Sequence, residues 1–295
     1  MNYFPTAELN DITKKKYNAH IQRWLTFGIA SLDALIKDSK QAIEVLQAQT
    51  TIKQTAHVYH GYYSSIVAYL DHEASVVMKE YKKIWKGIQS ENYKPISEHY
   101  NTQEPTERQK ITQIDWEDVL RVRDNLPLCV EKLLLAFYSY IEPVRADYYA
   151  TALLKPGDAV PESENYIILD KEYKLVIQNF KTSKTYKKIE HILPEELKEL
   201  LKESLRVDPR PFLFIKRRMS NKDPISPMSP SEYSSWANRI LTRIFNKPTN
   251  LTALRHSFVH TIDYNRPLSE LKKITDAMGH SVSMSMGYKL NKQKK

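Results

Sequence analysis

Residues 166–193, YIILDKEYKLVIQNFKTSKTYKKIEHIL, decide the fold class, because apolar side chains alternate there with a period of two. The alternation predicts three short strands joined by tight turns, over Tyr166–Leu169, Lys174–Phe180 and Lys188–Leu193. Most of the surrounding sequence instead spaces apolar residues three and four apart, which is typical of amphipathic helices. We therefore predict a mostly α protein with a small antiparallel sheet, an α+β fold.

The first hundred residues show helical periodicity and predict a four-helix domain. The expected helices are Ile12–Phe27, Ser31–Gln49, Gln54–Leu70 and Ser75–Gln89. The segment Glu91–Lys110 is polar, contains two prolines and lacks an apolar period, so we interpret it as an interdomain linker. The predicted organisation is a helical domain, a linker and a second domain, at residues 1–95, 96–112 and 113–295.

Helices are also predicted on both sides of the three strands. They are Asp115–Asn125, Leu128–Tyr140, Pro194–Arg206, Pro230–Phe245, Ala253–Tyr264 and Leu268–Met278.

The composition favours a polyanionic partner and excludes several classes of protein. The 44 Lys and Arg residues exceed the 35 Asp and Glu residues, for a net charge of +9, so nucleic acid is the leading candidate, with surplus lysines for solubility as the alternative. The six glycines form neither GxxxxGK[ST] nor GxGxxG, and the lone Cys129 excludes an intrachain disulfide. No apolar run approaches the ~20 residues that cross a bilayer, and no signal pattern opens the chain, so we expect an intracellular protein.

Five short strings in the second domain form a recognisable series. They contain Arg145 in YIEPVRADYY, Lys181 in NFKTSKTYKK, Arg255 in NLTALRHSF, His280 in AMGHS and Tyr288 in SMGYKL. In this order they resemble the tyrosine recombinases, or phage integrase family, whose signature is an arginine, a hairpin lysine, a second arginine on a helix, a GH turn and a tyrosine. The strings look most like the versions found in large DNA viruses and virophages.

The resemblance implies a site-specific DNA recombinase or integrase that cuts and rejoins DNA through a 3′-phosphotyrosyl intermediate, with no cofactor and no metal. It implies that residues 1–95 form a core-binding domain, that residues 113–295 form the catalytic domain, and that the two grip double-stranded DNA as a C-shaped clamp. It also implies a monomer in free solution, a homotetramer on DNA, and a location wherever the target DNA is, in a nucleus, a nucleoid or a viral replication compartment.

The chemistry explains why these residue types belong together. The resemblance implies that two arginines, Arg145 and Arg255, would neutralise a phosphodiester and donate in pairs to its oxygens. Tyr288 is expected to attack phosphorus, and because a phenol has a pKa near 10 it would need a base or a positive pocket. Lys181 is expected to protonate the leaving 5′-oxygen as general acid, with Lys184 as its competitor. His280 is expected to hydrogen-bond the phosphate or to position the nucleophile.

The sequence departs from the family pattern at Thr252, where a histidine or lysine usually precedes the second arginine by three residues. A hydroxyl donates a hydrogen bond but is not a base near neutrality, so the proton acceptor is left open. The spacing from His280 to Tyr288 is one residue shorter than expected. Asp147 is predicted to take a supporting role that an acidic residue plays slightly later in other members.

Other readings remain open. A type IB topoisomerase would use the same chemistry, and Thr252 favours a catalytically inactive DNA-binding protein derived from a recombinase. An RNA-binding module is disfavoured because no aromatic-rich strand of the required kind occurs. Taken alone, Thr252 is also a plausible helix N-cap. His256 and His260 lie four residues apart, but with no third ligand nearby we predict packing rather than metal binding.

Overall fold

The computed structural model describes residues 2–4, 9–72, 76–102, 104–216 and 225–289. The chain divides into two compact units, Met1–Thr102 and Gln103–Lys295, and each has its own apolar core. The boundary falls inside the segment 96–112 that was predicted as a linker. Within the described part of the chain, no helix is both long and apolar enough to cross a membrane.

The first unit is helical. Its helices are α1 (Asp11–Thr26), α2 (Leu32–Lys37), α3 (Ser39–Gln47), α4 (Ala56–His72) and α5 (Val76–Thr102). Helix α4 packs against both α1 and α5. Large aromatic side chains fill the centre, and the indole nitrogen of buried Trp85 donates to the carbonyl oxygen of Ile36 at 3.0 Å, which joins α5 to α2.

The helix predicted over Ser31–Gln49 is two helices. The break lies at Asp38, whose backbone leaves the helical region with φ −110° and ψ 75°. Its carboxylate accepts a hydrogen bond from the amide of Gln41 at 2.9 Å and so caps α3. A short acidic side chain stabilises a helix start at the expense of helix continuation, which explains the division.

The linker prediction was wrong about local structure, because most of Glu91–Lys110 is helical. Helix α5 continues through Pro95 to Thr102, and the proline removes one backbone donor without ending the helix. Ile96 is buried, so this polar stretch does contribute an apolar contact. A second helix, α6 (Glu107–Thr112), begins at a capping box in which Thr106 and Gln109 bond each other's backbone amides.

The second unit contains a four-stranded sheet in the order β1-β2-β3-β4. The strands are β1 (Ala152–Leu154), β2 (Tyr166–Ile168), β3 (Lys174–Ile177) and β4 (Ile189–Ile192). Strands β2, β3 and β4 pair antiparallel, which confirms the predicted meander, but β1 pairs parallel with β2. The sheet is therefore mixed rather than antiparallel. Strand β1 was missed because it joins the sheet in parallel, so no hairpin turn marks it in the sequence.

Strand β3 ends at Ile177, three residues before the predicted end at Phe180. The amides of Gln178 and Asn179 donate to the side-chain oxygen of Asn165 at 2.9 and 2.7 Å instead of to a neighbouring strand. A side-chain acceptor thus replaces the ladder and turns the chain. The following segment is not a tight turn, because it contains the short helix α9 (Ser183–Tyr186).

Helices cover the sheet and complete the second unit. Besides α6 and α9 they are α7 (Trp116–Asn125), α8 (Val130–Phe137), α10 (Glu195–Val207), α11 (Pro230–Phe245), α12 (Leu251–Val259), α13 (Leu268–Ala277) and α14 (Val282–Tyr288). Helix α8 is buried along Leu133–Phe137 and packs against α7, α10 and α11. The prediction of a mostly α fold with a small sheet is confirmed.

Candidate active site

Arg145 lies in the loop between α8 and β1, where hydrogen bonds fix its backbone. Its amide donates to Oδ2 of Asp147 at 3.0 Å, and its carbonyl oxygen accepts from the hydroxyl of Tyr138 at 2.6 Å. Its side-chain Nη1 donates to the carbonyl oxygen of Gly279 at 3.2 Å. Burial raises the pKa of the Asp147 carboxyl, and the neighbouring guanidinium charges oppose that rise. Asp147 therefore supports Arg145 through its backbone.

Arg255 lies on α12 and is only 3% exposed. Its Nη2 donates to the carbonyl oxygen of Met278 at 3.3 Å and to Nδ1 of His280 at 2.7 Å. Its Nη1 is buried and bonds no residue that the structure describes. Burial and the charge of Arg145 lower the pKa of the Arg255 guanidinium to about 10, so the group stays charged at neutral pH.

His280 is a neutral donor beside these guanidinium groups. Because Arg255 can only donate, Nδ1 of His280 must accept, which leaves the proton of the neutral ring on Nε2. Burial and the charges of Arg255 and Arg145 lower the pKa of His280 to about 3. Its Nε2 is buried and has no hydrogen-bond partner among the described residues.

The turn between α13 and α14 is bonded at Gly279 to two segments that are distant in sequence, those of Arg145 and Thr182. Its carbonyl oxygen accepts from Arg145 and also from Oγ1 of Thr182, which lies at 2.7 Å in the segment between β3 and β4. Gly279 has a φ of +68°, and an added Cβ would lie 3.2 Å from the ring of Phe180. Glycine is needed here for both reasons.

Tyr288 is the last residue of α14 and is half-buried. Its ring stacks on that of His256, with centroids 4.7 Å apart and planes 28° apart. The ring of His280 meets it edge-on at 5.5 Å and 88°. The tyrosine therefore lies next to both the second arginine and the GH turn.

A cavity of about 530 Å³ opens beside Arg145, Arg255 and Tyr288, and His280 is not among its described lining residues. It contains three arginines and no acidic side chain among its described lining residues, which include Arg108, Arg145, Thr252, Arg255, His256 and Tyr288. The lining is therefore positively charged, and an anion is the ligand that it suits.

Lys181 and Lys184 are not brought into this cavity. Both are exposed, Lys181 in the turn after β3 and Lys184 on α9. Neither side chain has a hydrogen-bond or ion-pair partner in the described part of the chain. Lys181 nevertheless adjoins Thr182, which bonds the same carbonyl oxygen as Arg145. The structure thus brings Arg145, Arg255, His280 and Tyr288 together, and the two lysines are not among the described residues that line the cavity.

Thr252 is not the N-cap of α12. Asn250 takes that position, and its side-chain oxygen accepts from the amide of Ala253 at 2.9 Å. Thr252 is exposed and lines the cavity, where its hydroxyl is free of a capping role.

Sequence reasoning missed two cavity residues, Arg108 and His256. Arg108 lies on α6, inside the segment predicted as a linker. The sequence signal for a helix there was the capping box of Thr106 and Gln109. His256 follows Thr252 by four residues and so lies on the same helix face, although it was predicted to pack. Among described residues, no group of three or more His, Cys, Asp or Glu side chains is placed to hold a metal ion.

Comparisons with known proteins find little similarity in sequence. No family model matches the chain, and no curated protein matches it. A solved structure described as the "Crystal structure of XerA recombinase" has a TM-score of 0.43 and 15% sequence identity, and the alignment covers 96% of this chain and 89% of that chain.

Proposed function

We propose that this protein is a tyrosine-type DNA strand transferase, acting as a site-specific recombinase or integrase. The observation that carries the proposal is the cavity in which Arg145, Arg255 and Tyr288 meet without an acidic side chain among the described lining residues. Charged guanidinium groups held this close without a paired carboxylate in the cavity favour binding of an anion with several oxygens, such as a backbone phosphate.

Two buried nitrogen atoms near the site make no hydrogen bond to a described residue. Nη1 of Arg255 and Nε2 of His280 are buried without hydrogen bonds to described residues. A buried donor without a partner is costly, and a non-bridging oxygen of a phosphodiester in the cavity would satisfy Nη1 of Arg255, because Arg255 lines that cavity. Donors fixed in place before the reaction also stabilise charge that grows on phosphate oxygens in the transition state.

Tyr288 is the proposed nucleophile. Its hydroxyl oxygen forms a bond to phosphorus while the bond from phosphorus to the 5′-oxygen breaks, and the 5′-oxygen leaves with the electron pair. That oxygen takes a proton from a lysine, and the phenol proton passes to solvent. The reverse reaction rejoins the strand, so no external energy source is needed. The positive pocket favours the phenolate that attacks.

Lys181 remains the proposed general acid, with Lys184 as the alternative. Support comes from Thr182, since its bond to Gly279 holds the segment next to Lys181 against the turn that binds Arg145. A lysine side chain with four methylene groups and no partner in the described chain is free to reach a bound phosphate.

The natural partner in this proposal is double-stranded DNA, with a homotetramer on DNA because recombination of two duplexes requires four cleavages. The PVRADY, KTSKTY, LRHSF and MGHS strings support a relationship to recombinases of large DNA viruses and virophages. A type IB topoisomerase would instead relax supercoiled DNA as a monomer without pairing two duplexes.

A second candidate is a DNA-binding protein that has lost catalysis. Thr252 favours it, because the cavity position from which a base would act carries a hydroxyl. The two imidazoles nearby are weak bases, since burial lowers the pKa of His256 to about 4 and that of His280 to about 3. Detection of a covalent adduct with DNA separates the two candidates.

The test uses a pool of nicked suicide duplexes with a randomised core, so that no target sequence is assumed. We expect the wild-type chain to become covalently attached to DNA, and Tyr288→Phe to bind DNA normally without forming an adduct. The matched control is Tyr140→Phe, which keeps the ring that lies 4.0 Å from the guanidinium carbon of Arg123. An adduct that persists in Tyr288→Phe would refute the nucleophile, and its absence in the wild type would favour the inactive candidate.

A further inference from the structure

We infer that His256 is a positioning residue for the nucleophile, holding the ring of Tyr288 in one orientation by stacking on its face. The inference rests on the proposed function. His256 lies on α12 directly after Arg255, lines the same cavity and is 9% exposed. Its ring centroid lies 4.7 Å from that of Tyr288, with the planes 28° apart.

Tyr288 needs such a contact because of where it lies. It ends a seven-residue helix, α14, whose buried anchor is Ser285, hydrogen-bonded at 2.6 Å to the hydroxyl of Tyr264. That anchor fixes the backbone three residues earlier but leaves the Tyr288 side chain to be ordered by its neighbours. His256 limits the ring on one face, and His280 meets it edge-on at 5.5 Å. The phenol ring also packs against the apolar cluster of Val259, Ile262, Leu271 and Met278, and the two imidazoles restrict its orientation on one face and at one edge.

The geometry assigns His256 a positioning role rather than that of a base. In a stacked pair the lone pairs of the imidazole lie in its own plane, and so they point alongside the tyrosine ring rather than at its hydroxyl. Burial, Arg255 and His260 lower the pKa of His256 to about 4, so the ring is neutral at neutral pH. A neutral ring adds no charge next to Arg255.

The position of His256 also explains how Thr252 is tolerated. The two residues are one helical turn apart on the same face of α12, and both line the cavity. An imidazole is therefore present on this face, but it contacts the nucleophile's ring instead of standing where a base is usual. The positive pocket then lowers the cost of the phenolate, while His256 fixes its direction of attack.

The experiment compares three substitutions. His256→Phe keeps an aromatic ring without nitrogen atoms, while His256→Leu and His256→Gln remove the ring. We expect the rate of covalent attachment to suicide DNA to fall about three- to tenfold in the two variants without a ring, which corresponds to the strength of an aromatic pair. His256→Phe should retain nearly the wild-type rate, and DNA affinity should be the same in all four proteins.

A second readout does not depend on the formation of the covalent adduct with DNA. With 3-fluorotyrosine incorporated at position 288, the ¹⁹F signal should be shifted by the stacked ring in the wild type and in His256→Phe, and should move in His256→Gln and His256→Leu. Loss of rate in His256→Phe equal to that in His256→Gln would overturn the inference, as would an unchanged ¹⁹F signal in all variants. If the wild type formed no adduct, the proposed function would fail, while the ¹⁹F signal would still decide the stacking. Thermal unfolding identifies a variant that does not fold.

Discussion

At the scale of single residues, the site consists of positive and neutral donors that the described residues leave partly unsatisfied. Among those residues, the side chain of Arg255 bonds a carbonyl oxygen and a neutral imidazole and nothing else, and Asp147 bonds the backbone of Arg145. A buried charge without close ionic pairing lowers stability and is expected where a ligand supplies the missing charge. The arrangement is therefore better explained by binding than by folding.

The histidines of the site make stability depend on pH. The pKa values of His256 and His280 are lowered to about 4 and about 3 from an ordinary 6.5, so the unfolded chain takes up protons that the folded chain excludes. Their contribution to stability is complete above pH 6.5 and is lost as the pH falls toward 4, at about 1.4 kcal/mol per pH unit for each group. We expect His256→Phe to reduce the slope of unfolding free energy against pH by about that amount between pH 4.5 and 6.

Urea unfolding at a series of pH values, followed by circular dichroism, measures this slope. His72→Gln is the control, because His72 is exposed and lies in the first unit. A slope for His256→Phe equal to that of the wild type would show that His256 is protonated in the folded protein, contrary to the expectation.

At the scale of elements, the sequence predicted best where a pattern is long. The helix over Pro230–Phe245 was predicted with its observed bounds, and the structure shows Ser229 as its N-cap and a proline in its first turn. Helix α14 was missed because its seven residues make only two turns, and strand β1 was missed because it joins the sheet in parallel, without a hairpin turn to mark it. Other errors came from single side chains that redirect the backbone, as Asn165 does at the end of β3.

Prediction of the site residues succeeded where a short motif named the residue and failed where only the packing of two helices brings it to the site. Arg145, Arg255, His280 and Tyr288 were predicted from short strings, and the structure brings them together, although their roles remain predictions. His256 was not selected, because stacking between residues 32 positions apart depends on how α12 and α14 pack. Sequence periodicity carries no information about that contact.

The start of α12 offers a test at this scale. Asn250→Ala removes the side-chain acceptor for the amide of Ala253, and we expect the free energy of unfolding to fall by about 1 kcal/mol. Thr252→Ala should change it by much less, because Thr252 is exposed and caps nothing. Urea unfolding of both variants provides the comparison. An equal loss in the two would mean that Thr252 shares the cap.

At the scale of the whole molecule, the excess of positive charge belongs mainly to the second unit. Residues 1–102 carry 12 basic and 10 acidic side chains, whereas residues 103–295 carry 32 and 25. The unit that contains the arginine-lined cavity therefore has most of the net charge. This distribution of positive charge matches phosphate binding at the candidate site. Surplus lysines that served only solubility would have no reason to concentrate in the second unit.

Salt dependence of DNA binding tests that interpretation. If about six to ten phosphates are neutralised, affinity should fall by about 10³ to 10⁵ between 50 and 200 mM salt, because bound counterions are released. Arg108 is exposed and lines the cavity, so if the cavity binds backbone phosphate, Arg108→Gln should make the logarithmic salt slope shallower by about one. Arg206 is also exposed but is paired with Glu203 at 2.6 Å, so Arg206→Gln is the matched control and should leave the slope unchanged.

Fluorescence anisotropy with a labelled duplex measures the affinity of all three proteins for DNA at each salt concentration. A nearly flat wild-type response, or equal effects of the two substitutions, would show that the cavity does not direct phosphate binding.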